Sequence, residues 1–251
     1  MAEQGFRLDV RSNIAELTKN IDDLQKRHIP FVTAFALTKT AQDIKGAEVA
    51  VIAEVFDRPT RFTLNALYVK PATKQTLTSA VLFKEGFGSV PAWRYLGPQV
   101  EGGSRVKKSH ERALERAGIL KAEEFVVPGE GVNLDAFGNM RGGDITRILS
   151  ALGANPDAHQ NMTTRSRATK RGRARGTYFL LRGRAGAPDG IYHRKGMREI
   201  VPVMVFVRQP RYAKRFPFRQ TALTTFQRNF ARRFREGWQT YVVNQPVRRA
   251  A

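Results

Sequence analysis

Apolar residues recur along the chain at spacings that separate helices from strands. After Ser12, a residue type suited to capping, Ile14, Leu17, Ile21 and Leu24 follow at intervals of three and four, which predicts a first helix. Pro30 fits the first turn of a second. Phe31, Phe35, Thr38, Ala41 and Lys45 fall along one side of it, with Ala34, Leu37 and Ile44 beside them, a broad apolar band that predicts a helix to about Val55. Its many alanines let a neighbouring element come close.

Asp57-Arg-Pro-Thr breaks that period. Residues 61–70 then alternate and are rich in strand formers, Pro71-Ala-Thr-Lys makes a turn, and residues 76–83 return, so a β-hairpin is expected. Its threonine and asparagine positions suit a sheet covered on one side only.

The middle of the chain is mixed. Val90 to Leu96 is a short aromatic segment, and Gly102-Gly103 is a break. Residues 104–117 form a helix whose narrow apolar face, Val106, Ala113, Leu114 and Ala117, places it on a surface. Phe125 to Gly129 is brief and extended, and Asp144 is placed to cap a helix from Ile145 to Leu152. Between Gly153 and Gly176 apolar content collapses, which predicts an exposed basic arm or loop.

Three strands follow it, at 177–182, 190–193 and 200–207. Pro202 argues for an edge position or a strand start in the last of these. Phe216-Pro-Phe opens a final helix to about Val243, in which Ala222, Phe226, Phe230, Phe234, Trp238 and Tyr241 make an aromatic stripe opposite Arg228, Arg232 and Arg235. The whole predicts an α+β fold: long N-terminal helices, a β-hairpin and a small antiparallel sheet, and a long C-terminal amphipathic helix. Three regions are expected. Residues 1–152 form a helical and hairpin assembly region, 153–176 the basic arm, and 177–251 strands plus the terminal helix.

Charge changes this picture more than composition does. The chain holds 43 Lys+Arg against 22 Asp+Glu, net +21, and the excess is one-sided. Residues 1–152 carry 21 basic and 18 acidic side chains, whereas 153–251 carry 22 and 4. The basic half is nearly all arginine, with Lys170, Lys195 and Lys214 its only lysines, and arginine suits bidentate contact with phosphate or carboxylate. A surface so charged repels its own kind and calls for phosphates or an acidic partner surface. The arm's Arg165, Arg167, Lys170, Arg171, Arg173 and Arg175 are the candidate contacts, either to nucleic acid or to an acidic neighbour.

The absence of cysteine excludes disulfides, thiolate metal sites and cysteine nucleophiles. His28, His110, His159 and His193 lie far apart, so no metal and no cofactor is expected. Phosphate loops, zinc-protease and nucleophile-elbow motifs are missing. The basic half offers only Asp157, Asp189, Glu199 and Glu236 to a metal-dependent nuclease, and nothing selects Asp135 or Asp144 to join them. No catalytic residue is therefore expected. The aromatic stripe could stack bases, but regular helical spacing is what packing requires. Phe31, Phe35, Phe226, Phe230, Phe234 and Trp238 are assigned to the core or to an oligomer interface. No apolar run long enough for a membrane span occurs, and the first residues lack the order of a secretory signal, so a soluble protein is expected.

The C-terminal pattern resembles a known group. Tyr178-Phe-Leu-Leu-Arg, a glycine-proline turn, Gly190-Ile-Tyr-His-Arg, Ile200-Val-Pro-Val-Met-Val-Phe-Val, Pro210-Arg-Tyr-Ala-Lys-Arg-Phe-Pro-Phe and an arginine-rich helix are similar to tailed-phage minor tail protein Z, or tail-completion (neck), proteins. Ile29-Pro-Phe-Val-Thr-Ala-Phe-Ala-Leu fits the alanine-rich helix near their N-terminus. Residues 85–160 depart from the pattern and look like an insertion. The resemblance implies a non-enzymatic virion component, a homo-oligomeric ring assembled in the host cytoplasm. It would join tail to head beside neck, portal-adaptor or tail-terminator and tail-tube proteins and help hold or guide the DNA end. The alternatives are a cellular nucleic-acid-binding protein that uses the arginine-rich arm, and a DNA-processing enzyme. Free arginines lining a DNA channel would retard the passing genome, so the arm is expected to meet acidic side chains of an adjoining ring protein or a static DNA end.

Overall fold

The structure, a computed structural model, describes residues 24–86, 90–169, 178–196 and 198–244. It is α+β: seven helices and eight short strands among the described residues. The contacts divide it into two bodies, one of residues 1–50, 67–82 and 218–251, the other of 51–66 and 83–217. The division therefore does not fall at 153–176, where the charge changes. The expected first helix lies outside the described residues except for its last apolar position, Leu24.

In the first body a π-helical turn at Leu24–His28 leads into helix α1, Ile29–Val55, whose last residues count with the second body. Its buried residues in the first body, Val32, Ala34, Ala36, Thr40, Ala41 and Glu48, are small or polar, and Ile52 is buried further along. Two of them are orphans: neither Glu48 carboxylate oxygen nor Thr40 Oγ1 has a hydrogen-bond partner among the described residues. Strands β1, Leu67–Lys70, and β2, Ala80–Phe83, pair as expected, though the hairpin is shorter than its alternation suggested. Residues 61–64, which count with the second body, are a helical turn, α2, because Thr60 caps it by accepting from the Thr63 N–H at 3.2 Å. Thr38 Oγ1 on α1 accepts from the Ala72 N–H at 3.0 Å and holds the hairpin turn.

The second body is built on a four-stranded antiparallel sheet in the order β4-β7-β6-β5, comprising Glu124–Pro128, Ile200–Arg208, Gly190–Arg194 and Tyr178–Leu181. Pro202 is thus in an interior strand and not at an edge. It is tolerated because the β6–β7 register slips at Ile191/Tyr192, next to the Tyr192–Pro202 pair, so a proline without an N–H costs less there. Its carbonyl accepts from Gly131 at 2.8 Å, and a Cβ on Gly129 would lie 2.3 Å from that same oxygen. The chain can close over the proline only with glycine at 129.

Helix α3, Trp93–Glu101, takes in much of the aromatic segment, with Pro98 inside it, and ends where Gly102 adopts φ 78°. Trp93 lies against Phe83 with ring centroids 5.2 Å apart, and Tyr95 against Phe62 at 5.7 Å. Gly103–Ser104 is a short strand, β3, paired with β8, Arg211–Tyr212.

Helix α4, Ser109–Arg116, starts later than expected; it lies at the surface with Ser109, Arg112 and Arg116 exposed, and its other side is buried. Leu114 is fully buried, and with Ala113, Leu120, Val126, Ile148, Ile191 and Met204 it belongs to the main core. Burying a leucine of this kind is worth roughly 1.5–3 kcal/mol. Its narrow apolar face is supplemented by Glu111, itself fully buried, which makes the helix look more polar in sequence than its environment is.

Helix α5, Gly142–Leu152, contributes Ile148 and Leu149 to the same core and stops at Gly153 in the left-handed conformation. Asp144 does not cap it. The helix begins two residues earlier, and Asp144 in its first turn pairs with Arg147 at 2.9 Å. The segment read as an insertion thus supplies Leu114, Val126, Ile148 and Leu149 to the second body's core. A short helix α6, Thr164–Ala168, follows, and helix α7, Phe218–Trp238, continues as a π-helical turn to Val243.

Candidate interaction surfaces

The side of α7 that meets α1 can be read from its contacts. Arg233 binds Asp43 through two hydrogen bonds of 2.8 and 2.7 Å. Gly237 lies under Phe35 and Val32, where a Cβ would come within 2.8 Å of the Phe35 ring. Tyr241 meets Phe31 and Phe35 edge-on at 4.8 and 5.3 Å. Positions 233, 237 and 241 form one row at intervals of four. The Asp43 carboxyl is held below its usual range chiefly by the hydrogen bond from Arg233, against the opposing effect of burial.

The aromatic stripe is the next row round. Phe234 and Trp238 each follow a residue of the packing row by one position, about 100° of rotation on a helix of 3.6 residues per turn, whereas Phe226, seven residues before Arg233, lies on nearly the same side as that row. The rings lie on each other along the helix, with centroids 5.1, 6.3 and 6.4 Å apart, and none is buried. Phe226 remains 39% exposed and Leu223 53%. Gly237 is the only buried residue of the 21 in this helix. Of the six residues assigned to packing, Phe31 and Phe35 join an intramolecular helix contact, while of the four on α7 Phe226 is exposed and Phe230, Phe234 and Trp238 are half-buried.

Leu223 and Gln227 belong to this surface and were missed in the sequence pattern. The signal that marks them is the stretch 220–227, Gln-Thr-Ala-Leu-Thr-Thr-Phe-Gln, uncharged in a chain where 26% of residues carry charge.

Of the arm, Arg165 is described: it is exposed on α6, which Thr163 caps by accepting from the Ser166 N–H at 3.2 Å. The side chain of Arg167, and Lys170, Arg171, Arg173 and Arg175, lie outside the described residues. A second basic feature, not foreseen, is an open groove of about 550 Å³ lined by Ser109, Arg112, Glu115, Arg116 and Pro156. Glu115 is engaged by Lys107 at 2.9 Å, and the Arg116 Nε donates to the Arg112 carbonyl at 3.4 Å.

Behind the groove, Glu111 ties the body together. It accepts two hydrogen bonds of 2.6 Å from Arg105, one of 2.6 Å from the Lys108 N–H and one of 2.8 Å from the Val126 N–H. Burial would raise its carboxyl pKa, but these four donors outweigh that and hold it below the usual range. Glu124 is pulled down to about 2, first by its hydrogen bonds from Arg182. Both are structural pairings.

Among the described residues no group of three or more histidines and carboxylates could hold a metal ion, and no helix is long and apolar enough to cross a membrane. No protein-family model matches the chain, and no curated protein or solved structure matches it.

Proposed function

We propose that the protein is a structural subunit of the phage head–tail connection, of the tail-completion or neck kind, which acts as a homo-oligomer and not as an enzyme. The observation that carries this reading is the aromatic row of α7: a 21-residue helix that buries one glycine and leaves Leu223 and Phe226 exposed beside the half-buried Phe230, Phe234 and Trp238 has the surface of a subunit and not of a free-standing monomer. The net charge of +21 supports it, since such a surface suits acidic neighbours or the packaged DNA end. The test is genetic. Particles made without this protein should accumulate full heads and separate tails, and normally joined, infectious particles would refute the proposal.

The exposed Arg165 and the groove with Arg112 and Arg116 favour a second reading, a nucleic-acid-binding protein that holds phosphates without reading bases. It requires binding to duplex or single-stranded DNA that weakens steeply with added salt, and loss of that binding when Arg112 and Arg116 are both changed to Ala.

A further inference from the structure

We infer that the outer edge of β5 receives an acidic, extended segment of a neighbouring protein, which joins the sheet as a fifth strand. The inference rests on the reading of the chain as an assembly subunit and names the chemistry of one neighbour.

The two edges of the sheet are finished differently. The Phe206 N–H donates to the Asp189 carbonyl at 2.8 Å, which sets the alternation across the sheet. On β4 the backbone groups of residues 124, 126 and 128 therefore point outward, and on β5 those of Tyr178 and Leu180. Along β4 no outward N–H is left open. That of Glu124 donates to the Lys121 carbonyl at 3.1 Å, that of Val126 to the Glu111 carboxylate at 2.8 Å, and Pro128 has none. Arg105 also donates to the Val126 carbonyl at 3.5 Å. β5 has none of these devices. It reads Tyr-Phe-Leu-Leu, without charge or proline, and among the described residues no side chain or loop bonds its outward backbone groups. Leu180 is 39% exposed on it. A bare strand edge of this kind is what an added strand pairs with.

Charge selects the occupant. Residues 165–177, which lead into β5, hold six basic side chains and no acid, and Arg165 among them is exposed. The chain after residue 152 has four acids, and all are engaged: Asp189 by Arg182, Glu199 by Lys195, Glu236 by Arg232, and Asp157 by the His159 N–H and Gln160. At the start of β5 the Tyr178 ring lies on His193 with centroids 4.6 Å apart. After burial it is Lys195 and Arg147 that lower the His193 pKa, so this end of the sheet is positive. A second copy would bring the same cations against these, whereas an acidic strand brings the opposite charge.

The probe is a capped ten-residue peptide of alternating Glu and Val, labelled for fluorescence anisotropy and titrated with the full chain. It should bind and slow hydrogen exchange at the Tyr178 and Leu180 amides. The Lys–Val counterpart, and the acidic peptide N-methylated throughout so that it keeps its charge without N–H donors, should bind at least roughly tenfold more weakly. Leu180→Pro removes an outward donor and no bond of the sheet, so it should weaken the acidic peptide similarly and leave the urea midpoint unchanged. Should that variant fail to fold, the comparison of peptides on the wild-type chain decides alone. No binding, or equal binding of the acidic and N-methylated peptides, would overturn the added strand. A ten-residue thymidine oligonucleotide that displaces the peptide and itself protects the Leu180 amide would overturn it in favour of DNA. Dimerisation of the chain that Leu180→Pro abolishes would overturn it in favour of a second copy. If head–tail joining still depends on the protein in any of these cases, only the strand partner fails. If joining proceeds without the protein, the assembly reading fails whatever the peptides show.

Discussion

Glu48 gives the sharpest stability prediction. It is fully buried in the middle of α1, neither of its carboxylate oxygens has a partner among the described residues, and burial pushes its pKa from 4.5 up to about 8. An acid with a raised folded-state pKa destabilises the fold in a defined window. Below pH 4.5 it is protonated in both states and costs nothing by ionisation. As pH rises from 4.5 to 8 the unfolded chain gives up its proton and the folded chain keeps it, so stability falls with pH. Above 8 both are ionised and the loss levels off. At about 1.4 kcal/mol per pH unit, the loss is on the order of 3 kcal/mol by pH 7 and on the order of 5 kcal/mol at the plateau.

Glu48→Met removes the carboxyl while keeping length and helix propensity. Its stability relative to wild type should be nearly constant below pH 4.5 and should then grow by about 3 kcal/mol by pH 7. Glu48→Gln, which does not titrate, should show the same pH trend without the apolar gain. The assay is urea unfolding of all three proteins from pH 4 to pH 9 at fixed ionic strength, followed by helix signal. A stability difference that stays flat between pH 5 and pH 8, or a methionine variant less stable than wild type at pH 7, would show that Glu48 is ionised in the fold and has a partner.

Two other predictions concern the carboxylates of the second body. Glu111→Ala leaves Arg105 buried without its partner and frees the Lys108 and Val126 N–H groups, so it should cost on the order of 3–5 kcal/mol, measured by thermal or urea unfolding. Glu124 has its pKa lowered to about 2, so its pairing with Arg182 contributes stability that is present above pH 4.5 and is lost as pH falls towards 2. Arg182→Ala should therefore flatten the acid limb of the pH–stability curve between those values, and an unchanged acid limb would sink the pairing.

The two ends of the chain separate what residue order determines alone from what packing decides. Periodicity places α1, β5, β6, β7 and α7 because each repeats apolar residues at the spacing of its own geometry, and that information is local. The arginine excess and the lack of cysteine are likewise complete in the sequence. Neighbours decide the rest. Pro202 reads as an edge or strand-start residue, and a register slip between two strands makes room for it as the third residue of an interior strand; the polar Glu111 of α4 is buried because Arg105 and two backbone amides satisfy it. The aromatic stripe shows the same limit most plainly. Its spacing of four is identical to that of the row 233, 237 and 241, so sequence alone does not distinguish them. Asp43, Val32 and Phe35 on α1 do: their contacts with Arg233 and Gly237 turn that row inward, while Phe226 is left exposed and Phe230, Phe234 and Trp238 half-buried.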